Sequence, residues 1–179
     1  MVKERRMGVI AAAGAPCRIV ILGCAGTGKT MLAARLGERL MAPVICLDAI
    51  WRPAWSAADL PVFRSIVGEA HRGTRWISDG NFAAATFDLR LPQAGLIVWL
   101  ERARVICAAR AVRRVLRAGE RHRAGDLAQV LRFIWRFDRH NRPRIEALRR
   151  MHGPAVPVVR LDSQRAIDRF VAALPPSSA

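Results

Sequence analysis

The residues most able to do chemistry lie together near the start of the chain, at Gly23-Cys24-Ala25-Gly26-Thr27-Gly28-Lys29-Thr30. This is the spacing G-x-x-x-x-G-K-T, with the apolar run Arg18–Leu22 before it and the helical pattern Met31–Leu36 after it. Glycines at 23, 26 and 28 let the chain turn with φ > 0 and bring consecutive N–H groups, from Gly23 and Ala25 through Thr27 to Met31, onto phosphate oxygens. A helix starting at Lys29 adds the positive end of its dipole. Lys29 is placed to reach the β and γ phosphates of a nucleoside triphosphate as a mobile charge. The Thr30 hydroxyl is placed to ligate magnesium.

Further chemistry-bearing residues fall where other apolar runs end. Val44–Leu47 leads into Asp48, then Trp51-Arg52-Pro53-Ala54-Trp55. Trp51 and Trp55 have the i, i+4 spacing of a packed helix face; equally, they suit a wall for a ring-shaped acceptor whose anionic group Arg52 would grasp. Thr74–Ser78 ends at Asp79-Gly80-Asn81. There Asp79 suits a carboxylate that holds magnesium through water, and the same three residues suit an Asx turn. Two arginine rows follow, Arg110, Arg114 and Arg117, then Arg132, Arg136 and Arg139. They bracket a polar loop, so several are expected to point into a phosphate site.

The elements that must position these residues alternate. Strands are expected at 18–22, 44–47, 74–78, 96–100 and 156–161. Helices are expected at 29–40, 59–72, 103–117, 126–140, 145–151 and from Asp162-Ser163 through Leu174. Four of them carry a legible apolar face: Leu32, Leu36 and Leu40; Val62, Ile66 and Ala70; Val105, Ala109, Val112 and Leu116; and Leu127, Val130, Leu131, Ile134 and Trp135. Pro143 is expected to interrupt the helical pattern. The alternation predicts a three-layer α/β/α sandwich around a mostly parallel five-stranded sheet, with ligands at the carboxyl ends of its strands. One domain over 17–174 is expected, between tails at 1–16 and 175–179, with a short helical lid at about 117–127.

Composition narrows the function classes. The chain has 179 residues, 52% of them hydrophobic and 25% charged, which excludes wholesale disorder. Its formal net charge is +16, and Lys3 and Lys29 are its only lysines. The arginine excess is compatible with a nucleic-acid partner, a coding bias or a phosphate site. Cys17, Cys24, Cys46 and Cys107 form no C-x-x-C pair, and His71, His122, His140 and His152 read as surface histidines. Neither set suggests a zinc site or a disulfide framework. No apolar run approaches the roughly twenty residues of a membrane span, and a cytoplasmic setting is expected.

The GKT loop, Asp48-Ala49-Ile50-Trp51, Trp76–Asn81, Trp135-Arg136-Phe137 and Arg142-Pro143, in this order, resemble the DNA topology modulation proteins, small P-loop proteins related to adenylate kinases. The likeness runs from about Cys17 to Leu174. It implies a nucleoside monophosphate kinase-like fold that uses ATP and Mg2+, as monomer or homodimer. It also implies site roles. Asp48 matches the acid that contacts an acceptor hydroxyl in small-metabolite kinases, Asp79-Gly80 matches the D-G pair of adenylate kinases, and Arg110 and Arg114 match arginines preceding the lid. Arg136, Arg139 or Arg142 matches a grip on the transferring phosphoryl group. Phe82-Ala83 stands where adenylate kinases have proline and the arginine that binds the acceptor nucleotide, which leaves Arg90 as a candidate substitute. The leading expectation is an ATP- and magnesium-dependent phosphotransferase acting on a nucleoside, nucleotide or other small acceptor. The alternatives are a nucleotide-responsive, nucleic-acid-associated regulator and a slow ATP hydrolase.

Overall fold

The computed structural model describes residues 17–52, 54–118 and 124–175. In chain order the elements are β1 (Arg18–Gly23), α1 (Lys29–Leu40), β2 (Val44–Cys46), α2 (Leu60–Ala70), β3 (Trp76–Asp79), α3 (Ala83–Arg90), β4 (Leu96–Leu100), α4 (Arg104–Ala118), α5 (Ala124–Arg136), α6 (Arg142–His152), β5 (Val158–Leu161) and α7 (Gln164–Ala173). A helical turn at Leu47–Ile50 follows β2, and a π-helical turn at Phe137–Asn141 joins α5 to α6. The expected tail at 1–16, the end of the chain from 176 and the centre of the expected lid, 119–123, lie outside the described residues.

The sheet order is β2-β3-β1-β4-β5, and every pairing is parallel, where the sequence predicts a mostly parallel sheet. A parallel sheet needs cover on both faces, and the alternation along β1 supplies it. Ile19 and Ile21 pack with Leu32 and Leu36 of α1 and Phe170 of α7. Val20 and Leu22 pack on the other side with Phe87, Trp99, Cys107, Ile134 and Phe137. β1 is central, so the phosphate loop leaves the middle of the sheet, flanked by the ends of β3 and β4.

Several helix faces differ from expectation for definite reasons. In α2 the buried pair is Phe63 and Val67, whereas Val62, Ile66 and Ala70 are exposed. The buried spacing continues to His71, a polar residue that hides the true face in the sequence. In α4 the buried residues are Cys107 and Ala111, and Val105 and Leu116 are 65% and 77% exposed. Only small side chains fit there, because α4 lies against the phosphate loop: a Cβ on Gly26 would stand 2.5 Å from the Cys107 carbonyl oxygen. α5 buries Ile134 but leaves Trp135 exposed. Pro143 does not stop the helix. It occupies the first turn of α6, where its missing N–H is no loss. Helix α3 lies between expected elements, and its buried face, Thr86, Phe87 and Arg90, carries no apolar period. β2 is shorter than expected, since Leu47 joins the following turn.

His71 is fully buried, not on the surface. Its Nδ1 lies 2.7 Å from the Val67 carbonyl and its Nε2 2.9 Å from the Ser78 hydroxyl. The carbonyl requires a proton on Nδ1, so Nε2 accepts from Ser78 in the neutral ring. Burial pushes His71 down to about 4. The unfolded chain therefore gains this proton near pH 6.5 and the folded chain only near 4, so stability falls as pH drops through that window. Denaturant titrations from pH 7.5 to 4 should show a loss of up to about 3 kcal/mol from this group. That slope should be absent from His71→Gln.

Candidate active site

The loop from Gly23 to Thr30 and the start of α1 form one wall of a cleft of about 1030 Å3. Gly26 and Gly28 have φ of 79° and 99°, which only glycine adopts without strain. Lys29 Nζ donates to the carbonyls of Gly23 and Cys24, at 3.0 Å each, and so lies folded across the loop. Burial pushes its ammonium below the ordinary lysine range, opposed by the charges of Asp79 and Asp48. Thr27 is buried and donates its hydroxyl to the Cys24 carbonyl at 2.8 Å, which shapes the loop from inside. Ala25, Gly26, Gly28, Lys29, Thr30 and Met31 line the cleft.

Asp79, at the end of β3, accepts the Thr30 hydroxyl on Oδ2 at 2.7 Å, while its Oδ1 is buried without a hydrogen-bond partner. Burial raises the Asp79 carboxyl, and the Thr30 hydrogen bond and Lys29 charge act against that rise. A hydroxyl and a carboxylate with a free oxygen make a hard, all-oxygen donor set, which fits magnesium held partly through water. Thr30 and Asp79 are thus brought together as the sequence reading requires.

Asn81 borders the cleft and also serves the loop. Its Oδ1 accepts from Gly23 N at 3.1 Å and its Nδ2 donates to Gly23 O at 2.9 Å, so its amide clasps the phosphate loop. The Gly23 N–H is thereby engaged by a side chain. Gly80 is packed against Leu47, 3.1 Å from where its Cβ would be, and is not among the residues lining the cleft.

Asp48 is exposed on the turn after β2 and lines the same cleft, together with Phe82. Trp51 packs edge-on against Trp55 and Phe63, with ring centroids 5.7 and 5.2 Å away. This is the core-packing alternative, and the cleft wall on that side is Phe82, which joins the cluster at 4.9 Å from Phe63. Arg52 is exposed, with its guanidinium 5.5 Å from the Trp55 ring centroid.

The α4 arginines reach the cleft. Arg110 donates to the carbonyls of Gly26 and Thr27 at 3.4 and 3.3 Å, and Arg113 and Arg114 line the opening with Phe133 of α5. Arg113 went unmarked in the sequence because it falls between the row members 110, 114 and 117. Arg139, Arg136 and Arg132 are exposed and lie outside this lining. Arg142 binds Glu101 at 2.5 Å. Arg90 is no acceptor ligand: it is fully buried behind Asp79, its guanidinium pushed down to about 9 by burial and still charged at neutral pH. Burial pushes the Cys24 thiol up to about 12, which leaves it a protonated packing group.

Solved structures share this architecture. A shikimate kinase from Bacteroides thetaiotaomicron aligns with a TM-score of 0.58 at 20% identity, over 88% of this chain and 96% of that one. A shikimate kinase from Acinetobacter baumannii in complex with shikimate aligns at 0.57 and 18%, over 89% and 92%. The fold is that of small P-loop kinases. A gluconokinase from Sinorhizobium meliloti 1021 shares it at a TM-score of 0.54 and 18% identity, over 89% of this chain and 90% of that one. No family model matches the chain, and no curated protein matches it in sequence.

The approach of α4 to the loop gives a direct test. Gly26→Ala places a methyl 2.5 Å from a main-chain oxygen in a left-handed backbone, so the loop or α4 must shift. We expect a loss of about 1–3 kcal/mol in denaturant titrations.

Proposed function

We propose that the chain is a magnesium-dependent kinase that transfers the γ-phosphoryl group of ATP to a hydroxyl of a small acceptor. The observation that carries this reading is the shared cleft. Lys29 and Thr30 of the phosphate loop, Asp48, Phe82, Arg110, Arg113 and Arg114 all line one space, and Asp79 accepts the Thr30 hydroxyl. A bound triphosphate would draw Lys29 off its two carbonyls onto the β and γ phosphates. Arg110 and its neighbours would spread over the equatorial oxygens of the transferred group. Asp48 would take the acceptor's proton as its oxygen bonds to the γ-phosphorus and the bond to ADP breaks. Magnesium, held by Thr30 and through water by Asp79, would neutralise phosphate charge.

Residues 17–174 would act as one kinase domain, with the segment near 117–127 as a lid. The DNA topology modulation proteins remain the family whose motifs the chain resembles, and a cytoplasmic setting accords with this reading. No helix among the described residues is long and apolar enough to cross a membrane. The arginine excess that suggested a nucleic-acid-associated regulator has a use in the cleft, and no structural observation favours the regulator.

ADP release with a panel of nucleosides, nucleotides, sugars and hydroxy acids tests the proposal. At least one acceptor should raise release above the acceptor-free rate, which itself measures slow hydrolysis. Asp48→Asn should lower kcat by about 10²- to 10⁴-fold with ATP affinity retained, and Lys29→Met should lower turnover by at least about 10²-fold. Tight ATP binding with no acceptor-dependent turnover across the panel would sink the kinase reading.

A further inference from the structure

Among the described residues Arg90 is the arginine that is fully buried, and none of its hydrogen bonds goes to a carboxylate. Its Nε donates to the Thr86 hydroxyl at 3.0 Å. One terminal nitrogen donates to the Ser78 hydroxyl at 2.9 Å and the Gly80 carbonyl at 3.1 Å, and the other donates to the Asn81 carbonyl at 2.6 Å. These oxygens lie on both sides of Asp79 in the chain. A buried cation normally pairs with the nearest carboxylate. Here the charge is close enough to act on Asp79, yet the donor fork is turned into the main chain, and Asp79 Oδ1 keeps no hydrogen-bond partner.

Each bond bears on a part of the site. Through the Gly80 and Asn81 carbonyls Arg90 fixes the Gly80–Asn81 and Asn81–Phe82 peptide units just beyond Asp79, and Asn81 in turn clasps both main-chain groups of Gly23. The Asn81 carbonyl belongs to the peptide that enters Phe82, whose φ of 34° is uncommon for an aromatic residue. Ser78 is anchored from beneath by His71. Thr86 passes the hold on, accepting from Arg90 and donating to the Phe82 carbonyl at 2.9 Å.

We propose that Arg90 is a positioning residue that locks the main chain around Asp79, keeping one carboxylate oxygen free for the hydration shell of magnesium while Asn81 holds the phosphate loop. The inference rests on the kinase reading above. Arginine is required because four fixed acceptors on residues 78, 80, 81 and 86 need a planar fork, which the point charge of lysine does not provide.

The readout is the magnesium enhancement of nucleotide binding: the Kd of ATP in EDTA divided by that in magnesium, measured by calorimetry, with thermal unfolding alongside. Arg90→Lys keeps the charge and loses the fork, and should cut the enhancement by about 10- to 100-fold. Thr86→Val removes one acceptor far from the phosphates and should cut it several-fold, and Thr86→Ser, which keeps the hydroxyl, should restore it. If Arg90→Lys does not fold, the Thr86 pair decides alone. A folded Thr86→Val or Arg90→Lys protein that melts earlier but keeps the wild-type enhancement overturns the inference and leaves the kinase reading intact. A wild-type chain whose ATP binding gains nothing from magnesium overturns both.

Discussion

A half-buried lysine ammonium bonded to two main-chain carbonyls sets the electrostatic terms of this molecule. Withdrawing such a charge from water is costly unless opposite charge is near. Asp79 and Asp48 provide it from the neighbouring strand ends, and neither forms a contact ion pair with Lys29 among the described residues. The lysine is therefore compensated without being tied down, and its two carbonyl bonds are open to exchange for other acceptors. The parallel sheet makes this arrangement available, because β1, β2 and β3 all end on the same edge.

The loop half of the candidate site was legible in the sequence. Glycine, lysine and threonine at fixed spacing describe a backbone path as well as a chemistry, so the Lys29–Leu40 helix has the expected bounds and β1 runs one residue beyond them. Asp48 and Asp79 were legible for the same reason, each following a short apolar run. Arginines at helical spacing identified Arg110 and Arg114 but could not say which further arginines share the cleft, because spacing within a helix does not fix the helix's rotation on its neighbours.

What the sequence concealed has a common cause. The buried faces of α2, α3 and α4 include His71, Thr86, Arg90, Cys107 and Ala111, residues that hydropathy ranks as polar or small. His71 and Arg90 are buried because Ser78, Gly80 and Asn81 offer them hydrogen bonds, Thr86 because it bonds to Arg90 and the Phe82 carbonyl, and Cys107 and Ala111 because the loop lies too close for anything larger. Exposed Val105, Leu116, Val62 and Ile66 then completed a false apolar period. Asn81 has a second use the sequence does not announce: only the three-dimensional approach of β3 to β1 shows its amide turned to Gly23.

The contact between Gly26 and Cys107 also bears on how such a protein can change over evolutionary time. Helix α4 touches the phosphate loop backbone to side-chain-free backbone, so neither can drift without the other, and the arginines on α4 inherit that rigidity. Asp48 and Phe82 adjoin a cluster of Trp51, Trp55 and Phe63 held by side-chain packing, with Leu47, Ile50 and Val67 in it. Such packing tolerates exchange of one large side chain for another more readily than backbone contact does. Diversification is therefore channelled into the segment from Asp48 to Phe63 and into Phe82, while the glycine-rich loop and α4 stay fixed.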